Sequence, residues 1–203
     1  MNFLTEASWN GDHWFLAANG PGPRLAREAM FAALEHATPD AILSTGYCGA
    51  LAASLSVADI FITNRVVAGD AGLEFEARMP EACAGRTDGT LLSVDRVAAT
   101  AKEKSAMNHQ GYAAVEMEAA GVAAFAQERA LPFYCVRVVS DAAAESMPLD
   151  LNAYRDDDGR FRKQAIAAAA LRRFSIAKDL IRLDRQCRAA SEALGGFLAN
   201  CRF

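Results

Sequence analysis

Several features are absent from this sequence, and each absence excludes a class of protein. The formal net charge is −4 at pH 7, so the chain lacks the basic excess with which nucleic-acid-binding proteins attract phosphates. Residues 1–15 lack the basic and apolar segments of a secretion signal, and no run reaches the roughly 18 uncharged apolar residues of a membrane span. We therefore expect a cytoplasmic protein that acts on a small molecule and binds no nucleic acid.

Two short motifs are missing as well. The five cysteines show no C-x-x-C spacing and no nearby histidine pair, so they predict reduced thiols rather than a metal site or a disulfide framework (Cys48, Cys83, Cys135, Cys187 and Cys201). The segment GPGPRL at 20–25 lacks the last glycine of G-x-G-x-x-G, which argues against a dinucleotide-dependent oxidoreductase.

What the chain does contain is an alternation of short apolar strands and longer amphipathic helices, which is the α/β pattern. The 203 residues, 52% of them hydrophobic, suffice for a single domain spanning 1–203. Two packed helices are expected in a C-terminal extension at about 160–200. Strands are predicted at 13–19, 40–46, 59–67, 89–94, 113–117 and 132–140, with a loop at 68–88, and further helices at 24–37, 96–107 and 118–130.

Polar clusters follow three of the predicted strands, at 45–50, 116–118 and 140–141. Each has an ordinary explanation: a strand-to-helix turn at 46–49, first-turn capping by Glu118, and a helix cap at 140–141. In open α/β sheets, however, ligands bind beyond the carboxyl ends of the strands. Taken together, the clusters therefore predict carboxylates that converge on one crevice, where partial desolvation could raise the pKa of one of them.

Two segments resemble a known family. PDAILSTGYCGALAASLSVADIFITNRVV (39–67) resembles the part of the nucleoside phosphorylase and nucleosidase superfamily in which a strand ends in T-G-x-x-G and a G-D-I strand follows. AAVEMEAAGVAAFAQERALPFYCVRVVSDAA (113–143) resembles its second hallmark, V-E-M-E-x-x-A followed by a strand ending in S-D. The resemblance covers about residues 10–145 and implies a central mixed β-sheet flanked by helices.

The resemblance also implies a reaction, cleavage of the N-glycosidic bond of a purine nucleoside. Asp141 would protonate or hydrogen-bond the departing purine at N7, and Ser140 would orient it. Glu118 would accept hydrogen bonds from the ribose 2′ and 3′ hydroxyls, with Met117 packed under the sugar. Glu116 would anchor the strand end or reach the edge of the pocket.

Further positions are carried over from the family in the same way. The backbone at Tyr47, Cys48 and Gly49 would line the sugar and nucleophile side, and Leu92 and Ser93 fall where the family places its base-contacting strand end. No metal or organic cofactor is implied. A homodimer or larger oligomer is expected.

The chain departs from the family pattern at its start and near the nucleophile. Family members have an additional strand and a glycine loop before the strand matched by 13–19, so we expect this first catalytic element to be missing or reshaped. Tyr47 stands where phosphorylases often have a small hydroxyl residue near phosphate, and Leu92 replaces an aromatic often used for base stacking. Water and phosphate both stay open as the nucleophile. Three arginines are conceivable anion ligands, but a structural role is favoured for them (Arg24, Arg65 and Arg137).

The finer expectations concern the substrate. Adenine is the expected base, and the segments LLSVDRVAATAKEKSAM and 140–173 resemble the hopanoid-biosynthesis branch, which would make an adenosyl-hopane the substrate. Between Arg155 and Arg188 lie ten Lys or Arg residues and five Asp, so these helices could contact an anionic membrane surface, although a solvated face is favoured. The alternative function is a catalytically weak paralogue that binds a nucleoside or adenine.

Overall fold

A mixed sheet of seven strands lies at the centre of the structure, a computed structural model that describes residues 3–9, 11–81, 89–172 and 174–203. The strands are β1 (Phe3–Trp9), β2 (Asp12–Ala18), β3 (Ile42–Ala50), β4 (Ile60–Ile62), β5 (Arg65–Ala68), β6 (Leu73–Glu76), β7 (Thr90–Ser93), β8 (Tyr112–Glu116) and β9 (Phe133–Asp141). The helices are α1 (Pro23–Leu34), α2 (Ala101–His109), α3 (Ala119–Glu128), α4 (Lys163–Arg172) and α5 (Phe174–Leu198).

The order of strands across the sheet is β4-β9-β3-β8-β7-β5-β6. Strand β9 is parallel to β3, and β7 is parallel to both β5 and β8. The pairs β4–β9, β5–β6 and β3–β8 are antiparallel. With helices packed on this mixed sheet, the predicted fold class is confirmed.

The ends of three strands meet around Gly49. Strand β3 is paired with β9 up to Cys48 opposite Val139; the register then shifts, and Gly49 lies opposite Asp141. On its other side Gly49 is paired with Val115, near the end of β8. A register shift of this kind re-aims side chains, and here it leaves Ser140 outside the pairing with β3.

Helices α3 and α2 each pack a part of the core against the sheet. A large apolar cluster joins α3 to β3 and β9 and includes Phe125, Val139 and Ile42. A smaller cluster joins Met107 of α2 to Leu92 and neighbouring residues. Helix α1 in turn packs on α3, so these two segments are in contact although they are far apart in the sequence.

Local sequence signals explain where the helices begin. Pro23 occupies the first turn of α1, where the missing N–H costs nothing. The side chain of Thr100 accepts a hydrogen bond from the Glu103 N–H, and Glu103 accepts one from the Thr100 N–H, which is a capping box. The predicted helix start at residue 96 was wrong because this capping box fixes the start of α2 at Ala101.

Three other predicted boundaries differ from the structure. The strand predicted at 59–67 is split into β4 and β5, because the Thr63 side chain accepts from the Arg65 N–H and lies within 3.0 Å of the Gly89 carbonyl, which turns the chain. Residues 46–49 form no strand-to-helix turn, since β3 continues to Ala50. The loop predicted at 68–88 contains strand β6, which pairs with β5.

Strands β1 and β2 form a separate antiparallel hairpin. Strand β2 was predicted and packs on α1, whereas β1 was missed. The Asn-Gly pair at 10–11 is a typical two-residue hairpin signal that could have located β1.

The cysteines differ in state. Cys48, Cys135 and Cys187 are free thiols. The expectation of reduced thiols is wrong for Cys201, which is disulfide-bonded. Cys83 lies outside the described residues, as do residues 82–88 of the loop predicted at 68–88.

The contact between α1 and α3 depends on a glycine. A Cβ added to Gly121 would lie 2.5 Å from the Pro23 carbonyl oxygen, which is backbone and cannot move aside cheaply. We therefore expect Gly121→Ala to lower the free energy of unfolding by about 1–3 kcal/mol, measured by urea denaturation. The matched control is Gly195→Ala in α5, where the added Cβ meets no atom within 4 Å, and we expect a gain of about 0.5 kcal/mol. Equal effects at the two sites would contradict the close packing of α1 on α3.

Candidate active site

A buried ion pair anchors the end of β8. Glu116 and Arg137 are both almost fully buried, and Arg137 Nη2 lies 2.8 Å from Glu116 Oε2. Glu116 also accepts hydrogen bonds from the backbone N–H groups of Glu118 and Ala119 at 2.9 Å. Its carboxylate therefore caps the N-terminus of α3, where the helix dipole favours negative charge.

Arg137 extends this anchor to a third strand. Its Nη2 donates to Ser44 Oγ of β3 at 2.7 Å and its Nη1 donates to the Val136 carbonyl at 3.2 Å. The Arg137 Nε is buried and has no hydrogen-bond partner among the described residues. Because a guanidinium keeps its proton under all ordinary conditions, Arg137 is a permanent positive charge beside Glu116.

Glu118 is the N-cap residue of α3 by position, but its side chain makes no capping hydrogen bond. The expectation of first-turn capping by Glu118 is therefore wrong, and Glu116 supplies the capping oxygen. The Glu118 carboxylate instead accepts from the Gly22 N–H at 3.0 Å. Burial, and then the neighbouring charge of Glu116, raise the pKa of Glu118 to about 7. Near neutral pH this group can therefore accept or release a proton.

An open cleft of about 370 Å³ lies beside the same glycine. A Cβ on Gly22 would come within 2.6 Å of Asp95 Oδ1 and 3.3 Å of Arg155 Nη2, so glycine fits here without displacing either side chain. The lining of the cleft is polar and charged, and consists of Asp95, Arg96, Asn152, Arg155, Asp156, Asp157 and Gly159. Gly22 thus donates a hydrogen bond to Glu118 and also lies next to two residues that line the cleft, Asp95 and Arg155.

Asp141, at the end of β9, is also buried in an ion pair. Asp141 is 4% exposed, and its carboxylate contacts the ammonium of Lys104, which is 1% exposed. Lys104 Nζ donates in addition to the Ala142 carbonyl at 2.8 Å. The Ser140 hydroxyl lies 2.6 Å from Asp141 Oδ1 and 3.2 Å from the Cys48 carbonyl. The predicted helix cap at 140–141 is wrong, because no helix follows before a 3₁₀ turn at Leu151–Tyr154.

Lys104 is the residue that the sequence analysis missed. The signal for it was present: the capping box at Thr100 sets the phase of α2, and Lys104 then shares the buried face with Met107 three residues later. A lysine on the buried face of a helix requires a partner, since an unpaired charge in the interior is costly. That requirement could have pointed to a carboxylate in the core.

The predicted residues of β3 differ in exposure. Tyr47 is 44% exposed, and its hydroxyl contacts Ser191 and the Cys187 carbonyl of α5. Cys48 is buried, and burial raises the pKa of its thiol far above the usual range, so it is unsuited to act as a nucleophile. At Gly49 a Cβ would lie 3.0 Å from Asp141 Oδ2, which keeps larger side chains out of this position.

The remaining predicted contacts lie close to the same strand ends. Leu92 is buried in the apolar cluster beside α2. Ser93 accepts a hydrogen bond from the Ala120 N–H at 3.1 Å, which joins β7 to α3. Met117 is partly buried between Glu116 and Glu118. The roles of these three residues toward a base or sugar stay predictions.

The Asp141 and Glu116 carboxylates therefore lie on either side of one stretch of β3. Cys48 is close enough to feel the charges of both Asp141 and Glu116, and Gly49 is paired with the strands that bear them. Each group has a buried cation beside it. Among the described residues, no cluster of three or more His, Cys, Asp or Glu side chains is placed to hold a metal ion.

The raised pKa of Glu118 has a consequence for stability. A carboxyl group whose pKa is raised in the folded state contributes stability that is complete below its unfolded value of 4.5 and is lost as the pH rises through about 7. Between pH 4.5 and 8, we expect wild type to lose about 1–3 kcal/mol of its free energy of unfolding that Glu118→Gln does not lose. Urea unfolding at the two pH values measures this difference. Glu192→Gln on the exposed face of α5 is the control. Parallel pH curves for Glu118→Gln and wild type would contradict the shift.

The anchor makes a separate prediction. Arg137→Met leaves the Glu116 carboxylate buried without its cation, and we expect a loss of about 3–5 kcal/mol in the free energy of unfolding. Arg182→Met breaks an exposed pair with Asp179 and should cost less than about 1 kcal/mol. Similar small losses in the two variants would show that Arg137 does not hold the strand ends together.

Solved structures of other proteins share this fold. The 5′-methylthioadenosine/S-adenosylhomocysteine nucleosidase of Neisseria meningitidis, in complex with methylthio-immucillin-A, has a TM-score of 0.69 and 20% identity, over 98% of this chain and 89% of the other. Futalosine hydrolase of Helicobacter pylori has a TM-score of 0.65 and 15% identity, over 96% and 83%. The corresponding nucleosidase of Colwellia psychrerythraea 34H, in complex with adenine, has a TM-score of 0.61 and 22% identity, over 70% of each chain.

The sequence itself matches a family model described as the phosphorylase superfamily. The matched segments are residues 2–84 and 84–182, which include both segments that carried the resemblance. The family prediction is thereby confirmed. This chain belongs to the phosphorylase superfamily.

Proposed function

We propose that this protein is a nucleosidase that cleaves the N-glycosidic bond of a purine nucleoside. The observation that carries the proposal is the meeting of two strand ends at Gly49: β9 ends at Asp141, and Glu118 follows two residues after the end of β8. Cleavage of this bond needs help for the departing base and a grip on the sugar. Two carboxyl groups in different environments suit these two tasks.

Asp141 is assigned to the departing base. As the bond between C1′ and N9 breaks, negative charge grows on the purine, and a proton delivered to N7 stabilises it. The Ser140 hydroxyl, 2.6 Å from Asp141 Oδ1, orients the carboxyl group. General acid catalysis of this kind typically contributes about 10²- to 10⁴-fold.

Glu118 is assigned to the ribose. In its ionised form the carboxylate accepts hydrogen bonds from the 2′ and 3′ hydroxyls, and charge-assisted bonds of this kind are strong. The Gly22 N–H donates to Oε1 at 3.0 Å and so helps to hold the carboxylate in place. With a pKa of about 7, the ionised form becomes more abundant as the pH rises through neutrality.

Water is the proposed acceptor rather than phosphate. The arginines considered for anion binding are all paired with carboxylates: Arg24 with Glu28, Arg65 with Glu74 and Arg137 with Glu116. A phosphate would have to displace one of these partners. This favours hydrolysis.

An adenosine derivative is the proposed substrate. The nucleosidases with the same fold carry 5′-methylthioadenosine and S-adenosylhomocysteine in their names, and one was solved with adenine. An adenosyl-hopane would need an apolar surface for its hydrocarbon, whereas the cleft beside Gly22 is lined by charged and polar groups. A water-soluble adenosine derivative therefore suits this cleft better.

The charge pattern of α5 bears on where the reaction takes place. Two arginines of α5 pair with acids on the same helix, Arg182 with Asp179 and Arg188 with Asp184, which favours a solvated face over a membrane contact. None of the helices in the described ranges is both long and apolar enough to cross a membrane. A cytoplasmic homo-oligomer stays the expectation.

A specific observation favours the second candidate, a paralogue that binds a nucleoside or adenine without cleaving it. Asp141 is buried and held by Lys104, so its carboxyl group already has a partner. Incubation with adenosine, methylthioadenosine and inosine, each with and without phosphate, distinguishes the candidates by chromatography of the released base. Hydrolysis predicts adenine release that does not need phosphate. Binding by calorimetry without base release in any mixture would favour the paralogue.

Two variants test the assigned roles. We expect Asp141→Asn to lower kcat by about 10²- to 10⁴-fold, because the amide cannot deliver the proton. We expect Glu118→Gln to lose most of the preference for a ribosyl over a 2′-deoxyribosyl substrate, because its neutral amide binds the diol less strongly. Asp184→Asn on the exposed side of α5 is the control. Turnover of Asp141→Asn within a few-fold of wild type, or an unchanged sugar preference in Glu118→Gln, would remove the corresponding role.

A further inference from the structure

The buried lysine beside Asp141 has a chemical property that the other buried cation lacks. Lys104 enters from the first turn of α2 and contacts Asp141, and its remaining described hydrogen bond goes to the Ala142 carbonyl. An ammonium can give up a proton, whereas the guanidinium of Arg137 beside Glu116 cannot do so in a protein. The two carboxylates at the strand ends therefore have cations of different chemistry.

Burial makes a proton shift within the Lys104–Asp141 pair accessible. Removing two charges from water is costly, and the pair in which the proton has moved to the carboxyl group carries no net charge on either partner. Lys104 is 1% exposed and Asp141 is 4% exposed, so little solvent opposes this shift. Other titratable groups that face Asp141 are Cys48 of β3 and Cys187 of α5, and burial raises the pKa of both thiols, which keeps them neutral.

We propose that Lys104 supplies the proton that Asp141 passes to the departing purine, an inference that rests on the proposed function. When the bond between C1′ and N9 breaks, its electron pair moves onto the purine. Lys104 Nζ gives a proton to the Asp141 carboxylate and Asp141 passes this proton to N7, which leaves Lys104 as a neutral amine and Asp141 as a carboxylate. The attacking water adds hydroxide to C1′ and releases one proton to solvent, and after the base has left, one proton returns from solvent to Lys104 by way of Asp141 and restores the ammonium. The atoms and charges of the hydrolysis balance without a further reactant.

A purely structural role for Lys104 makes a different prediction. A cation that only held Asp141 and the Ala142 carbonyl in place could be replaced by another cation. Its loss would affect all substrates alike. A proton source, by contrast, matters only when the leaving group needs a proton. The dependence on the leaving group therefore separates the two roles.

The test compares Lys104→Arg and Lys104→Met with wild type on two substrates. One is the nucleoside that wild type cleaves best, and the other is 4-nitrophenyl riboside, whose phenolate leaves without protonation. We expect both variants to lower kcat for the nucleoside by about 10²- to 10⁴-fold and to change kcat for the nitrophenyl riboside by less than about threefold. Lys102→Met on the exposed face of α2 is the control, with no change on either substrate. Thermal unfolding identifies any variant that is unfolded, and the other variant then decides.

Each outcome bears on a separate claim. If Lys104→Arg keeps nucleoside turnover near the wild-type value, or if folded variants lose both activities equally, Lys104 only positions Asp141 and the proposed proton transfer is overturned. If wild type releases neither the base nor nitrophenolate, the proposed function fails, and the role of Lys104 fails with it.

Discussion

The buried pair between Glu116 and Arg137 is the interaction on which the rest of the strand-end region depends. Arg137 reaches from β9 to Ser44 on β3 and to Glu116 on β8, so one guanidinium connects three strands of the sheet. The carboxylate that it stabilises then caps α3. The geometry of Glu118 at the start of this helix follows from these contacts.

The same pair contributes to the electrostatics of Glu118, whose pKa is raised first by burial and then by the charge of Glu116. The Glu118 carboxyl group is poorly hydrated and lies two residues from another carboxylate, so it resists ionisation, and the charge of Arg137 offsets this only in part. A Glu118 pKa of about 7 is the result. Burial, together with a structural ion pair in the core, thus gives Glu118 a pKa suited to the exchange of protons or hydrogen bonds near neutral pH.

The two buried ion pairs differ in whether their cation can give up a proton. Beside Glu116 the cation is an arginine, which holds a permanent charge and fixes the backbone. Beside Asp141 the cation is a lysine, which can change its protonation state. Gly49 lies between the two carboxylate-bearing strands because a larger residue would collide with Asp141. The arrangement requires the parallel pairing of β3 with β9 and the register shift after Cys48.

The sequence by itself determined the α/β alternation, the family and the positions of the acidic strand ends, because burial periodicity and the two motif-bearing segments are local patterns. It also located Glu116, Glu118 and Asp141. Only the tertiary structure decided which cation each carboxylate meets, since Lys104 and Arg137 are 37 and 21 residues away from their partners. Such pairings depend on how α2 and the strands pack, and no spacing in the chain encodes them directly.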